Sequence, residues 1–435
     1  MSTTLGVRRE DKNRWERRTP LTPSHAKILK QKHGITTIVQ PSPIRVFSEK
    51  DYQKVGAQVN EDFSSCPVVF AVKEIPLDFF EPGKTYIFFS HTIKGQNHNM
   101  PMLKKIMELG CTLIDYERIV DANGRRLVFF GRFAGLAGMV DALWAFGKRM
   151  YWEQIDTPFK EIQQTIEYND LDDIKKHLAV VGKKIRTNGL PKSLTPLIIG
   201  FTGYGNVSLG AQEIIDLLPI KEITPEEIKT IESNPSNKVL YKVIFKEGHM
   251  VTPIKPTDTF ELQDYYSHPE KYRSNFEQYI PSLTILMNCI FWSAQYPRLI
   301  TKEYLKKSFA GKKNQKLKVI GDISADVNGA IEFTEKITTP DTPVFVYNPI
   351  TNTIQDGYKG EGVVVMAVDN LPCELPRESS ESFSQTLLGF IPGIMSADFT
   401  VSDFEQLKLP PEIKNAVIVY QGKLTPKYRY INKYL

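Results

Sequence analysis

At 435 residues, 24% charged and 41% apolar, the chain has the composition of an ordinary globular protein and the length for two or three domains. Its formal net charge of +5, without a basic run or arginine-rich arm, argues against a nucleic-acid partner. Cys66, Cys111, Cys289 and Cys373 stand far apart, with no CxxC pair and no Cys/His cluster of ligand spacing. A disulfide framework and a metal site are therefore not expected.

The chain opens on a strand, TTLGV, followed by a charged loop and a helix from Pro23 to about His33. ITTIVQP reads as a strand, SEKDYQKVG as a helix, VVFAV and YIFFS as strands, NMPMLKKIMELG as a helix stopped by Gly110, and CTLIDYE as a strand. Such alternation predicts βαβ units and a parallel sheet. RLVFFG, residues 126–131, reads as one more short strand. FAGLAGMVDALWAFGKRM then sets small residues at the start of a long helix, read as crossing between two domains. No apolar run is long enough to span a membrane. The N-terminal MSTTLGVRREDK has neither a signal-peptide core nor an amphipathic presequence, so a cytoplasmic location is expected.

Two of these strands end on titratable side chains. The apolar run Val68–Val72 ends at Lys73, with Glu74 beside it, and His91 stands just past Tyr86–Phe89. Singly, such residues are ordinarily a solvated cap and a hydrogen-bonded loop residue. Together they suggest more, because open parallel sheets bind ligands outside the carboxyl ends of their strands.

The clearest local pattern is LTPLIIGFTGYGNVSLGAQEIIDLL, residues 194–218. A buried strand runs into the glycine-rich turn Gly203, Tyr204, Gly205, Asn206 and Val207, with Gly210 further on, and then into an amphipathic helix. Glycines there allow a tight turn and close approach of a pyrophosphate, and the helix N-terminus supplies N–H groups. A fold that prefers NAD usually carries an acid at the end of the next strand. That strand reads as PIKEITP, and it ends at Thr224 and Pro225 without a carboxylate at its tip, which leans the expectation to NADP.

From about 226 to 280 the chain is polar and aromatic and reads as an insert, with VIFKEGHMV as a hairpin strand. TILMNCIFW is a buried strand. KLKVIGDISADVNGAIEF gives a strand ending at Asp322 and a loop with Ser324 and Asp326, whose other reading is loop capping. EGVVVMAVDNLP ends a further strand at Asp369, and a helical pattern at 378–390 is read as leading back to the first domain.

The motifs ERRTPLTP, VKEIP, FFSHTIKGQ, LIDYE, GRRLVFFGRFAGLAGM, FTGYGNVSLGAQ, GDISAD and DNLP occur in this order. Through them the chain resembles the alanine dehydrogenase and saccharopine dehydrogenase family over nearly its whole length. Within it the chain is most similar to the lysine–2-oxoglutarate reductases, found as half of a bifunctional semialdehyde synthase. The segment 268–292 carries the likeness to the reductases, because the shorter fungal saccharopine dehydrogenases lack most of the insert.

The resemblance implies an α/β fold of two Rossmann-like domains with parallel sheets, the first discontinuous, and an active site in the cleft between them. The expected division is 1–136 plus 378–435 for the substrate domain and 137–377 for the dinucleotide-binding domain. The implied activity is an oxidoreductase step of lysine degradation: L-lysine, 2-oxoglutarate and NADPH give saccharopine, NADP⁺ and water. NADH is the less expected cofactor. Attack by an amine, loss of water and reduction each move protons, so an acid and a base near neutral pKa are needed. By resemblance Lys73 and His91 are that pair. Arg18 and Arg126 match carboxylate-binding positions, and Glu74 and Glu117 match positions that tune the pair or hold the substrate amine. Asp326 matches an acid on the nicotinamide side, with Asp322 and Ser324 in the same motif. The implied partners are small-molecule substrates and a separate or lost saccharopine dehydrogenase module, with no nucleic acid and no membrane. Mitochondrial relatives make a mitochondrial location the other possibility. The competing functions are an NAD-dependent saccharopine or alanine-type dehydrogenase of the same fold, and a non-catalytic nucleotide-sensing module.

Overall fold

The computed structural model describes residues 4–310 and 315–435. In chain order, the first stretch holds β1 (Thr4–Val7), α1 (Pro23–His33), β2 (Thr36–Val39), α2 (Glu49–Lys54), β3 (Gln58–Val59), β4 (Val68–Phe70), β5 (Thr85–Phe88), α3 (Met100–Glu108) and β6 (Thr112–Asp115). The middle of the chain holds α4 (Gly131–Trp152), α5 (Leu171–Asn188), β7 (Ile198–Thr202), α6 (Asn206–Ile215), β8 (Ile220–Ile223), α7 (Ile228–Ser233), β9 (Leu240–Phe245), α8 (Glu247–Met250), β10 (Val251–Pro253), α9 (Leu262–Ser267), β11 (Tyr272–Ser274), β12 (Ile285–Asn288), α10 (Lys302–Phe309), β13 (Val319–Asp322), β14 (Val344–Asn348), β15 (Thr353–Asp356) and β16 (Val363–Met366). It closes with α11 (Pro376–Leu388), β17 (Val417–Tyr420) and β18 (Lys423–Leu424).

The chain divides into two compact units, residues 1–130 with 376–435, and residues 131–375. In the first, the sheet order is β18-β17-β6-β5-β4-β1-β2-β3. The pairings from β6 through β3 are parallel, and β17 and β18 add antiparallel strands at one edge. The apolar runs that predicted strands are buried on both faces, as a parallel sheet covered by helices requires. Helix α11 packs on α1, where Ser384 Oγ accepts from the Thr22 N–H and meets His25 Nδ1 at 2.7 Å.

In the second unit the order is β15-β14-β16-β13-β12-β7-β9-β8. Strands β8, β9, β7, β12, β13 and β16 run parallel, with β14 and β15 antiparallel at the edge. Helices α4 and α6 cross at the closest approach their glycines permit. A Cβ on Gly135 would lie 1.9 Å from the Val207 carbonyl oxygen, and one on Gly210 would lie 2.0 Å from that of Arg132. Gly210 therefore serves helix packing rather than pyrophosphate approach.

Three expectations about elements are corrected. RLVFFG is not a strand: only Arg126 makes an isolated bridge, to Val120, and the segment bends towards α4. VIFKEGHMV is not a hairpin: its first residues end β9, a parallel strand between β7 and β8, and α8 and β10 follow. The insert expected at about 226–280 thus contains a central sheet strand, and the part outside the sheet begins only after Phe245. These segments are short apolar runs, whose pairing partner is set by contacts distant in sequence.

Candidate active site

In the first unit, β4, β5 and β6 end side by side, so the loops after them carry their side chains to one edge of the sheet. Lys73 follows β4. Its backbone N–H donates to Glu10 Oε2 at 2.9 Å, and that of Val72 donates to Glu10 Oε1 at 2.7 Å. One carboxylate thereby fixes the turn that presents the lysine. Burial, and then the negative charge of Glu16, push the Glu10 carboxyl up to about 7. The Lys73 ammonium makes no hydrogen bond or ion pair with the described residues. Burial and the positive charge of Arg18 push its pKa below the ordinary lysine value.

His91 follows β5 with φ +49°, a left-handed backbone that costs energy in a residue other than glycine. Its Nδ1 lies 2.6 Å from Glu74 Oε1, while Glu74 Oε2 accepts from Lys12 Nζ at 2.9 Å. Burial alone would raise the Glu74 pKa; the hydrogen bond and charge of His91, helped by Lys12, hold it well below the carboxylate range. The imidazole stacks on Phe89, ring centres 6.2 Å apart. Beside it, Asp115 at the end of β6 accepts from the Ser90 N–H at 3.0 Å, from the Ser90 hydroxyl, and from the Glu117 N–H at 2.7 Å. Burial pushes its carboxyl up to about 6.

The two expected arginines differ. Arg126 is half exposed and paired with Glu117. Arg18 is 2% exposed. Its Nε and Nη2 donate to the two oxygens of Glu16 at 2.7 and 2.5 Å, and its guanidinium lies 4.2 Å over the Phe130 ring. The structure thus joins Glu74 to His91 and Glu117 to Arg126, and holds Arg18 in a buried fork with Glu16, from which its charge acts on Lys73.

In the second unit, β7 ends in the turn 203–205 and α6 begins at Asn206 with Gly205 as its N-cap. Gly203 has φ +85°, and a Cβ on Gly205 would meet nothing within 4 Å. Open space above a glycine at a helix N-terminus is the cradle a pyrophosphate needs, so these residues fit a dinucleotide. Tyr204, Gly205 and Asn206 are exposed and Val207 half-buried. A cavity of about 290 Å³ opens beside Gly203, Tyr204 and Gly205. When bound, a dinucleotide would place its pyrophosphate over Gly203–Val207.

The β13 acids separate. Asp322 is buried and accepts from Asn288 Nδ2 at 2.9 Å and Thr334 Oγ1 at 2.6 Å, which ties β13 to β12. Burial pushes its carboxyl up to about 6. Asp322 thus cross-links the sheet. Ser324 donates to the Ile290 carbonyl at 2.5 Å, while Asp326 is exposed.

The reading of the nucleotide's ribose end is also corrected. The strand beside β7 is β9, not the edge strand β8, so the empty tip at Thr224 says nothing about cofactor choice. The tip of the strand beside β7 carries Lys246 and Glu247, the same dipeptide that follows β4 as Lys73 and Glu74. That repeat was a usable signal. Glu10 gave none, because the backbone groups it accepts from lie 62 and 63 positions away; Glu16 stands two residues from Arg18, in the motif that carries both.

The alanine dehydrogenase/PNT N-terminal domain model matches residues 6–137, and the C-terminal domain model matches residues 220–427. The chain is 40% identical over 444 aligned residues to the alpha-aminoadipic semialdehyde synthase of Arabidopsis thaliana, which covers 98% of this chain but 41% of that protein. The chain thus spans less than half the length of that relative. It is 30% identical to the saccharopine dehydrogenase [NAD(+), L-lysine-forming] of Yarrowia lipolytica, covering 86% of this chain and 87% of that one. Among solved structures, an L-alanine dehydrogenase superposes over 99% of both chains with a TM-score of 0.63 at 17% identity.

Proposed function

The chain belongs to the alanine dehydrogenase/PNT family, and on that premise we propose that it condenses L-lysine with 2-oxoglutarate and reduces the product to saccharopine, with NADPH as the reductant. The observation that supports this most is the pairing of Lys73 and His91 at neighbouring strand ends, with Glu74 bridging His91 to Lys12. The name of the Yarrowia relative, an L-lysine-forming saccharopine dehydrogenase, supports lysine and saccharopine as reactants, and the length of the Arabidopsis relative leaves room for a further module. The cation Lys246 at the β9 tip supports NADPH over NADH.

Lys73, with its lowered pKa, takes a proton from the substrate's ε-ammonium so that the amine can attack the keto carbon. His91, oriented by Glu74, gives a proton to the departing hydroxyl and leaves an imine. When bound, the nicotinamide supplies the hydride that reduces this imine. Arg126 receives a substrate carboxylate in exchange for Glu117, whose carboxylate then faces the amine. Arg18, committed to Glu16, acts on Lys73 through its charge rather than by leaving its buried fork for substrate.

The test is nicotinamide oxidation by the purified chain with L-lysine and 2-oxoglutarate, repeated with NADH and with ammonia and pyruvate. Oxidation that needs both lysine and 2-oxoglutarate is expected. Oxidation with ammonia and pyruvate instead would replace this reading with an alanine-type reaction, and oxidation with neither pair would leave a nucleotide-binding module.

A further inference from the structure

In a glycine-turn nucleotide site, the tip of the strand beside the turn meets the adenosine ribose. A carboxylate there accepts from the 2′-hydroxyl, whereas a cation there takes a 2′-phosphate. This chain has both at the end of β9, Lys246 and Glu247, and the structure treats them differently. Glu247 lines the cavity beside the turn together with Gly203, Tyr204, Tyr265 and Tyr266. Its Oε1 accepts from the Tyr266 hydroxyl at 2.6 Å. Tyr266 comes from α9, in the segment between β9 and β12 that the sheet does not need. Lys246 is exposed, and its ammonium stands 6.0 Å over the ring of Tyr204, within the turn itself.

We propose that the inserted segment selects the cofactor: Tyr266 engages the Glu247 carboxylate so that it does not serve a ribose 2′-hydroxyl, and Lys246 is left as the cation that receives a 2′-phosphate. This rests on the nucleotide reading above and adds the element that decides between the two dinucleotides. A carboxylate at this place with its acceptor sites free would take the ribose 2′-hydroxyl and so favour NADH. A ribose 2′-hydroxyl must compete for a carboxylate that already accepts from the Tyr266 hydroxyl at 2.6 Å and is also engaged by the Tyr204 phenol, and a phosphate makes no such demand on it. Burial and the hydrogen bond to Glu247 push the Tyr266 phenol well above its ordinary value, so it remains a donor throughout the neutral range. Tyr265 packs beside Tyr266, ring centres 5.8 Å apart, and on Tyr296 at 5.4 Å, which holds the donor in place.

The experiment measures dissociation constants of the whole chain for NADPH and NADH, and for the fragments 2′,5′-ADP and 5′-ADP, by calorimetry. Wild type should bind 2′,5′-ADP more tightly than 5′-ADP. Lys246→Ala should weaken 2′,5′-ADP about tenfold, the scale of one charge-assisted contact, and leave 5′-ADP within about two-fold. Tyr266→Phe keeps the ring but removes one of the two phenols that engage Glu247. It should tighten 5′-ADP and NADH several-fold, and the double variant with Glu247→Gln should lose that gain. Melting curves of each variant report whether the fold is kept. A Tyr266→Phe preference equal to wild type, or a wild type that prefers 5′-ADP, would overturn the inference while the nucleotide site stands. Failure of wild type to bind any of the four would overturn the nucleotide reading itself.

Discussion

Lys73 owes its setting to Glu10 as much as to its own strand. The two backbone N–H groups of Val72 and Lys73 converge on one buried carboxylate. In the unfolded chain Glu10 titrates near 4.5, and in the fold near 7. The folded state therefore holds the proton more tightly, and stability falls as pH rises from about 4.5 to about 7. A shift of that size corresponds to roughly 3 kcal/mol. Glu10→Gln should flatten this fall; urea midpoints at pH 5 and pH 8 that change in parallel with wild type would contradict it. Lys73→Met should lower turnover by about 10²–10⁴ with melting unchanged, the range for losing an acid–base group. Wild-type turnover in that variant would remove Lys73 from the chemistry. The sequence pointed to Lys73 and His91 because both close continuous apolar runs. Nothing local pointed to Glu10, whose partners sit 62 and 63 positions away.

Helices α4 and α6 hold the glycine turn through backbone contact rather than side-chain interlock. Gly210→Ala would set a methyl group 2.0 Å from the Arg132 carbonyl oxygen and force the helices apart. The expected cost is about 1–3 kcal/mol, with loss of nucleotide binding as the α6 N-terminus shifts. Gly389→Ala, where the nearest atom is 3.7 Å away, is the matched control and should stay within about 0.5 kcal/mol. Equal midpoints for the two variants would show that the helices yield. The strand–turn–helix pattern of 194–218 was legible because hydrophobic run, glycines and amphipathic helix agree. β9 was misread because a short apolar run looks the same in a hairpin and in a parallel sheet.

The first unit is built from both ends of the chain. Strand β17, near the C-terminal end of these residues, lies between β6 and β18, and Val417, Ile418 and Val419 are fully buried. Each such side chain contributes about 1.5–3 kcal/mol, and β17 covers the edge of β6, so removing residues 411–435 should leave the first unit unfolded. Limited proteolysis would show it; a truncated chain as resistant as the whole would mean that β17 is dispensable. The apolar runs and their spacing sufficed for the α/β class, the strand ends that carry Lys73 and His91, and the glycine turn. These features are local: each depends on residues within one strand, turn and helix. The order of strands in each sheet, the stacking of Arg18 over Phe130, and the meeting of Glu247 with Tyr266 came from packing. They depend on which distant segments share a surface, and no window of neighbouring residues encodes that.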